Sequence, residues 1–415
     1  MGIPEFQEKD SEIGEIMKAA IIGASGEAVH TIEKAHGYGL EVVALDGNAG
    51  AEGLKIADKP LNIDISNEAA TIEALRREKP DFVLTVPIGR YLTTIGAVND
   101  ALGLPGISRD VAVLCTDKLK FHQRLCRQGL RNCRCYSVEG KKITNADQGI
   151  MQEGNIFPDQ FQITYPAILK PRYGSGSRGI YMLTSAAQFE DAIQEIGEEP
   201  YVLEECVAGE EYGVDGAVTE DGFRMVLLRR KENTPPPARQ AVGYSSVLPS
   251  DGYWRQVEDY MKQVIACLGL KECLLHADII GGEAGSFVIE LSARPSGHNL
   301  HNLFTPLCTG VDMAEQYIRY RMGLPYSFVP EGTKSMMIHY FDMQGKVMDV
   351  PARGQVEEAL DAQLAAWNCN IKEGEELSPV SDGHSVMGRG YFVLEGGNAS
   401  FLHGQAEIVR KLFFR

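Results

Sequence analysis

Two carboxylates, a hydroxyl and an arginine fall at spaced positions in one short stretch, His276-Ala-Asp278-Ile-Ile-Gly-Gly-Glu-Ala-Gly-Ser-Phe-Val-Ile-Glu290-Leu-Ser292-Ala-Arg294. Side chains alternate along a strand, so Glu290, Ser292 and Arg294 share a face. A regular hairpin turning at Ala284 sets Asp278 opposite Glu290. Like charges facing each other across a sheet repel unless something positive lies between them. A divalent cation meets that need, and hard oxygen donors suit Mg2+. The flanking Ile279, Ile280, Val288 and Ile289 then belong to a buried opposite face. A surface hairpin with solvated charges is the plain alternative.

A second stretch, Tyr165-Pro-Ala-Ile-Leu-Lys170-Pro-Arg-Tyr-Gly174-Ser175-Gly176-Ser177-Arg178-Gly179-Ile180, ends an apolar strand on a lysine and enters a glycine/serine loop. Glycines let backbone N–H groups converge on phosphate oxygens, and the lysine adds a point charge. Gly174, Gly176 and Gly179 match GxGxxG. A dinucleotide fingerprint needs a helix directly after the loop, whereas Ile180-Tyr-Met-Leu reads as a strand. Strand, loop and strand make a flap over phosphates, or else a flexible hairpin tip. Gly23-Ala-Ser-Gly26 after a first strand, with Asp46 ending a second, has the spacing of a Rossmann-type site but lacks its full glycine pattern. A tight strand-to-helix turn explains it as well. Asp117-Lys118 opens a helix, and Glu204-Glu205 closes an apolar strand ahead of Gly209-Glu210-Glu211; solvated ends account for each alone.

The elements that must position these groups alternate at first. Strands are expected at 18–23, 41–46 and 81–86, and helices at 26–37, 67–78 and 90–103, which implies a parallel sheet covered on both faces. A helical stretch at 109–130 leads to strands at 165–171, 179–183 and 200–207 around a helix at 186–196. Further strands are expected at 213–218 and 224–229, a helix at 253–268 and the hairpin at 273–293. After 330 come short strands and two short helices, 356–366 and 404–412.

With 415 residues the chain exceeds one ordinary core. Its 44% hydrophobic and 23% charged residues are normal for a globular protein. A net charge of -17 argues against nucleic acid and against an anionic membrane surface. No apolar run nears the roughly 20 residues of a membrane span. Nine cysteines without CxxC or Cys/His pairing read as free thiols of a reducing cytosol. Residues 1–16 are polar and patternless, and read as a disordered or appended leader.

In their order along the chain, Lys118, Lys170 with its glycine loop, Glu204 to Glu211, Asp278, Glu290 and Arg294 resemble the ATP-grasp superfamily. The resemblance covers roughly residues 17–325 and is strongest toward the amino-acid ligases and their biotin-carboxylase-like relatives. It implies an α/β and α+β multidomain chain. A Rossmann-like parallel-sheet domain spans 17–110, an ATP-grasp lid or central subdomain 111–208, a catalytic subdomain 209–328 and a small α+β domain 329–415. It implies that Lys118 and Lys170 contact ATP phosphates under a loop 173–179 that includes Gly174, Ser175, Gly176 and Ser177. Glu204, Glu205 and Val207 would form the adenine edge, and Glu211 would take the ribose. Asp278, Glu290 and Ser292 would hold one or two Mg2+ (or Mn2+) ions. Arg294, with Lys170, would steady the transferring phosphoryl group. His298 and Asn299 continue from that strand toward the substrate. Three departures stand out: Ser292 where Asn is common, Asp278 where Glu is, and Gln240 and Tyr244 where relatives often carry Glu and His.

The chemistry implied is an ADP-forming carboxylate–amine ligation in the cytoplasm. ATP activates a small-molecule carboxylate as an acyl phosphate, and an amine attacks it. Carboxylating or formyl-transferring relatives, a nucleotide-dependent oxidoreductase built on the N-terminal unit, and a non-catalytic ATP-binding protein are the rivals. The resemblance also makes a homodimer the first assembly to consider.

Overall fold

The computed structural model describes residues 16–140, 142–146, 163–174, 178–235, 239–282, 285–380 and 383–414. Of the expected leader only Ile16 lies among them, and Ser175, Gly176, Ser177 and the hairpin's Ala284 lie outside. The first strand, β1 (Lys18–Ile22), carries Ala19, Ala20, Ile21 and Ile22, all fully buried. Their alternation divides them between two cores. Ala20 and Ile22 pack with Leu75, Leu92, Ile95 and Val98, whereas Ala19 and Ile21 pack with Ala28, Ile32, Ala35 and Ile318. Both faces of a parallel sheet must be covered, and here they are. β1 pairs in parallel with β2 (Glu41–Asp46), β2 with β3 (Lys59–Asn62) and β1 with β4 (Phe82–Val83), in the order β3-β2-β1-β4. The parallel N-terminal sheet expected from sequence is therefore present. β3, an edge strand of Lys-Pro-Leu-Asn, has no apolar run to reveal it.

The second sheet holds β5 (Cys135–Glu139), β6 (Lys142–Asn145), β7 (Ala167–Pro171), β8 (Tyr181–Leu183) and β9 (Pro200–Glu205), antiparallel in the order β6-β5-β9-β7-β8. β7 and β8 are the two strands read on either side of the glycine loop. The helix Ala186–Ile196 covers this sheet with Phe189, Ala192 and Ile196.

The remaining strands are β10 (Glu210–Thr219), β11 (Gly222–Asn233), β12 (Ala241–Val247), β13 (Cys273–Gly282), β14 (Gly285–Ser292), β15 (Met336–Tyr340), β16 (Gly345–Lys346), β17 (Gln363–Cys369), β18 (Glu376–Leu377) and β19 (Gly390–Glu395). β16 pairs with β18. The others form one eight-stranded sheet, β14-β13-β10-β11-β12-β15-β19-β17. Three strands from beyond residue 330 thus extend the sheet that carries the carboxylate hairpin. The helix expected at 356–366 is cut short to Arg353–Ala359, and Gln363–Cys369 pairs with β19 instead. Pairing overrides a helix-favouring Gln-Leu-Ala-Ala composition there. The helix expected at 404–412 begins earlier, at Ala399, where the Asn398 side chain accepts from the Phe401 N–H.

Arg131 ties the second sheet to the third. It is 1% exposed, forks onto both carboxylate oxygens of Glu204 on β9 at 3.0 and 2.9 Å, and donates through Nε to the Val288 carbonyl on β14 at 3.1 Å. Removing one partner of a buried ion pair leaves an uncompensated charge, so Arg131→Met should cost ~3–5 kcal/mol in denaturant unfolding. A loss under ~1 kcal/mol would show that the pin is dispensable. A second prediction concerns the helices Leu92–Leu102 and Arg109–Thr116. A Cβ at Gly96 would stand 2.6 Å from the Arg109 backbone and the Ser108 carbonyl. Gly96→Ala should therefore destabilise by ~1–3 kcal/mol through overpacking. Gly404→Ala, on an exposed helix face with open space, should instead stabilise by ~0.5–1 kcal/mol.

Candidate active site

A cavity of about 760 Å³ opens between the second and third sheets and the turn after β1. Lys118, Lys170, Gly174, Glu204, Glu205, Val207 and Glu211 line it, and so do Asp278, Glu290, Arg294, His298 and Asn299. Ser292 is not among its lining residues; it stands opposite His276 on β13. Residues 160 positions apart in sequence, such as Lys118 and Asp278, therefore share one cleft.

The hairpin reaches the expected register by an irregular route. Gly282 pairs with Gly285, and Ile279 pairs with Val288. A bulge then leaves Ile289 over, and Asp278 meets Glu290. A bulge sends two successive side chains to one face. Ile289 and Glu290 both line the cavity, as do Ile280 and Phe287, while Ile279 and Val288 are fully buried behind. The expectation that Ile280 and Ile289 face the core is thus corrected: they form an apolar wall of the cleft.

The charges in this cleft are mostly matched. Lys231, from β11, places Nζ 2.8 Å from Asp278 Oδ2 and 3.6 Å from Glu211 Oε2. Burial works against its charge, yet Asp278, Tyr244 and Glu211 outweigh that and hold its pKa above the ordinary lysine value. Burial likewise opposes ionisation of Asp278, and Lys231 and His276 overcome it and depress its pKa. Asp278 Oδ1 is buried without a hydrogen bond among the described residues. Glu211 is also bound by Arg239. Behind the floor, Arg229 donates to Asp215 at 3.0 Å and Thr305 to the other Asp215 oxygen at 2.9 Å, all three fully buried. Burial lowers the pKa of His276, which sits above them. Burial also lowers that of Arg294, against the pull of Glu290, Glu27 and Asp278.

On the opposite wall, Lys170 Nζ lies 2.7 Å from Glu204 Oε2. Glu204 is held by Arg131 as well, so its carboxylate is committed to positioning two cations. His122, Cys135 and Glu204 cluster closely enough to suggest a metal, but Arg131 already supplies the cation, 2.7 Å from His122 Nδ1. Lys118, the first residue of its helix behind the Asp117 cap, donates to the Gly174 carbonyl at 2.8 Å. Burial lowers its pKa, with Glu290 opposing and Lys170 reinforcing the shift. The N–H of Glu205 is given to the Arg134 carbonyl.

The N-terminal turn contributes Ser25, Gly26 and Glu27 to the cavity. Asp46 is not among the lining residues. Its two oxygens accept from the Ala24 and Asn48 N–H groups, each at 2.8 Å, and so brace the turn itself. Glu27 Oε1 accepts from the His298 N–H at 2.6 Å, and Oε2 is buried without a hydrogen bond among the described residues. Burial raises the Glu27 pKa, against the His298 N–H and Arg294. Tyr340 donates to the His298 carbonyl, and His298 and Asn299 are both left-handed, at φ 61° and 58°. Non-glycine residues in that region are strained and held by their surroundings. Sequence reasoning passed over Glu27, Lys231 and Arg131. Glu27 follows the singled-out glycine turn directly, and Lys231 lies in the segment where only Gln240 and Tyr244 drew notice. Gln240 and Tyr244 do line the cavity.

Residues 163–301 match the family model described as the ATP-grasp domain. The chain is 23% identical over 301 residues to the protein y4rH of Sinorhizobium fredii, an alignment covering 68% of this chain and 57% of that one. It spans about half the length, or less, of the curated relatives it matches. Its structure is similar to that of an L-amino acid ligase from Bacillus licheniformis, with a TM-score of 0.74, 15% identity, and 94% and 96% of the two chains covered. It is also similar to a phosphoribosylglycinamide synthetase from Anaerococcus prevotii, with a TM-score of 0.71, 16% identity, and 96% and 98% covered. Among the described residues no helix is long and apolar enough to cross a membrane. Residues 163–301 are thus similar to the ATP-grasp domain, and the chain shares the fold of these two solved structures.

Proposed function

We propose that this chain is an ATP-dependent carboxylate–amine ligase that makes an acyl phosphate and lets an amine displace phosphate. The observation that carries the reading is the facing pair Asp278 and Glu290 across one cavity from Lys118 and Lys170. The pair fits a divalent cation. Asp278 Oδ1 is a buried oxygen without a hydrogen bond among the described residues, Glu290 stands opposite, and both are hard donors of the kind Mg2+ or Mn2+ takes. A bound ion there would shield the phosphate charges of ATP.

The chain's own groups supply the rest. Lys118 and Lys170 hold the phosphates by charge in a cleft where little water screens them. Arg294, beside Glu290, faces the charge that builds on the transferring group and on the carboxylate oxygens. The apolar Ile280, Phe287 and Ile289 keep water from a mixed anhydride that it would hydrolyse. Glu27, with its raised pKa and spare buried oxygen, is the carboxylate suited to accept the proton that the attacking amine sheds. Small-molecule carboxylate and amine are the substrate classes.

ADP release across a panel of carboxylates and amines, with product masses, tests this reading. Some pair should give ADP, phosphate and a condensed product. Glu290→Gln should lower that turnover by ~100-fold or more, and near-normal turnover would sink the assignment. Glu27→Gln should cut the amine-dependent step ~100-fold while carboxylate-dependent ATP cleavage persists. Equal loss of both would remove Glu27 from the proton transfer.

A further inference from the structure

We propose that Lys231 is a resident cation of the cleft, lodged between Asp278 and Glu211 where a second divalent ion would otherwise sit, so that the site holds one metal ion. The proposal rests on the ATP-and-metal reading above and specifies its stoichiometry.

Two observations support it independently. The first is the seat of the ammonium. Lys231 starts on β11, two strands from Asp278 in the order β13-β10-β11, and its side chain crosses β10 to reach that carboxylate at 2.8 Å. On the way it meets Glu211 at 3.6 Å. All three side chains are nearly enclosed, with 12–14% exposure. A surface lysine would wave in water; this one bridges two carboxylates as a metal ion bridges its ligands. The second observation is a missing donor. Ser292, the third oxygen of the expected metal set, is not among the residues lining the cavity, so a second ion would have to draw on Asp278 Oδ2 and Glu211, the oxygens that Lys231 holds. What is left for a metal is Asp278 Oδ1 and Glu290, enough to anchor one ion whose remaining ligands are phosphate and water. A second dication near Asp278 Oδ2 would have to displace an ammonium already bonded there.

Equilibrium dialysis of the full chain against Mn2+ and an ATP analogue that cannot transfer its phosphate tests this, with nucleotide and metal on the protein counted separately. The unsubstituted chain should hold one nucleotide and one Mn2+. Lys231→Met frees Asp278 Oδ2 and Glu211 Oε2, with Arg239 still on Glu211 Oε1, and should bind a second Mn2+, whereas Lys231→Arg should keep the ratio at one. Two Mn2+ per nucleotide in the unsubstituted chain would overturn the proposal and leave the ATP reading standing. So would a ratio that stays at one in a folded Lys231→Met. Absence of bound nucleotide would overturn the ATP reading and this proposal together. If Lys231→Met does not fold, the ratio of one or two in the unsubstituted chain still decides.

Discussion

Carboxylates brought together out of water must each find a positive charge, and this requirement organises the molecule. Glu204, Glu211, Asp215, Asp278 and Glu290 come from strands of two sheets, and four of them face one cleft. An unmatched buried charge costs several kcal/mol. The chain answers with Arg131 and Lys170 at Glu204, Lys231 and Arg239 at Glu211, Arg229 at Asp215 and Lys231 at Asp278. Glu290 has no such close partner among the described residues; it feels Lys118 and Arg294 at longer range. Of the five, Glu290 is thus the carboxylate left without a bonded cation among the described residues, and it lines the cleft.

Sheet geometry decides which atoms meet. Gly282 pairs with Gly285, and the bulge at Ile289 shifts the register so that Asp278 meets Glu290. It also turns Ile289 and Glu290 to the same side, so an apolar wall and an acid adjoin. In the proposed ligation the acid end would meet phosphate through a bound cation, and the apolar end would shelter an intermediate that water would destroy. Behind it, Arg131 couples the hairpin to the strand that carries Glu204 and hence to Lys170, so the two walls of the cleft share one buried anchor.

Much of this was legible in the residues, for identifiable reasons. The parallel N-terminal sheet follows from long apolar runs separated by helical periods. The register of Asp278 and Glu290 follows from a glycine-bounded turn and alternation. The bulge was not legible, because it is decided by pairing, and so the outlook of Ile280 and Ile289 was misjudged. β17 was hidden by its helix-favouring composition, and β3 by the want of any apolar residue but Leu61. Lys231 and Arg131 were missed for a deeper reason. A lysine after two arginines reads as a solvated strand end, and an arginine between Leu130 and Asn132 as a loop charge. Only the tertiary fold shows Lys231 nearly enclosed against a carboxylate 47 residues away and Arg131 buried against one 73 residues away.

The proposed ligation requires a substrate carboxylate to attack the terminal phosphate of ATP in this cleft. A carboxylate labelled with 18O, turned over with ATP and an amine, tests it most directly. One labelled oxygen per turnover should appear in the phosphate released. Unlabelled phosphate alongside a condensed product would contradict it, because the acid would then have been activated by another route.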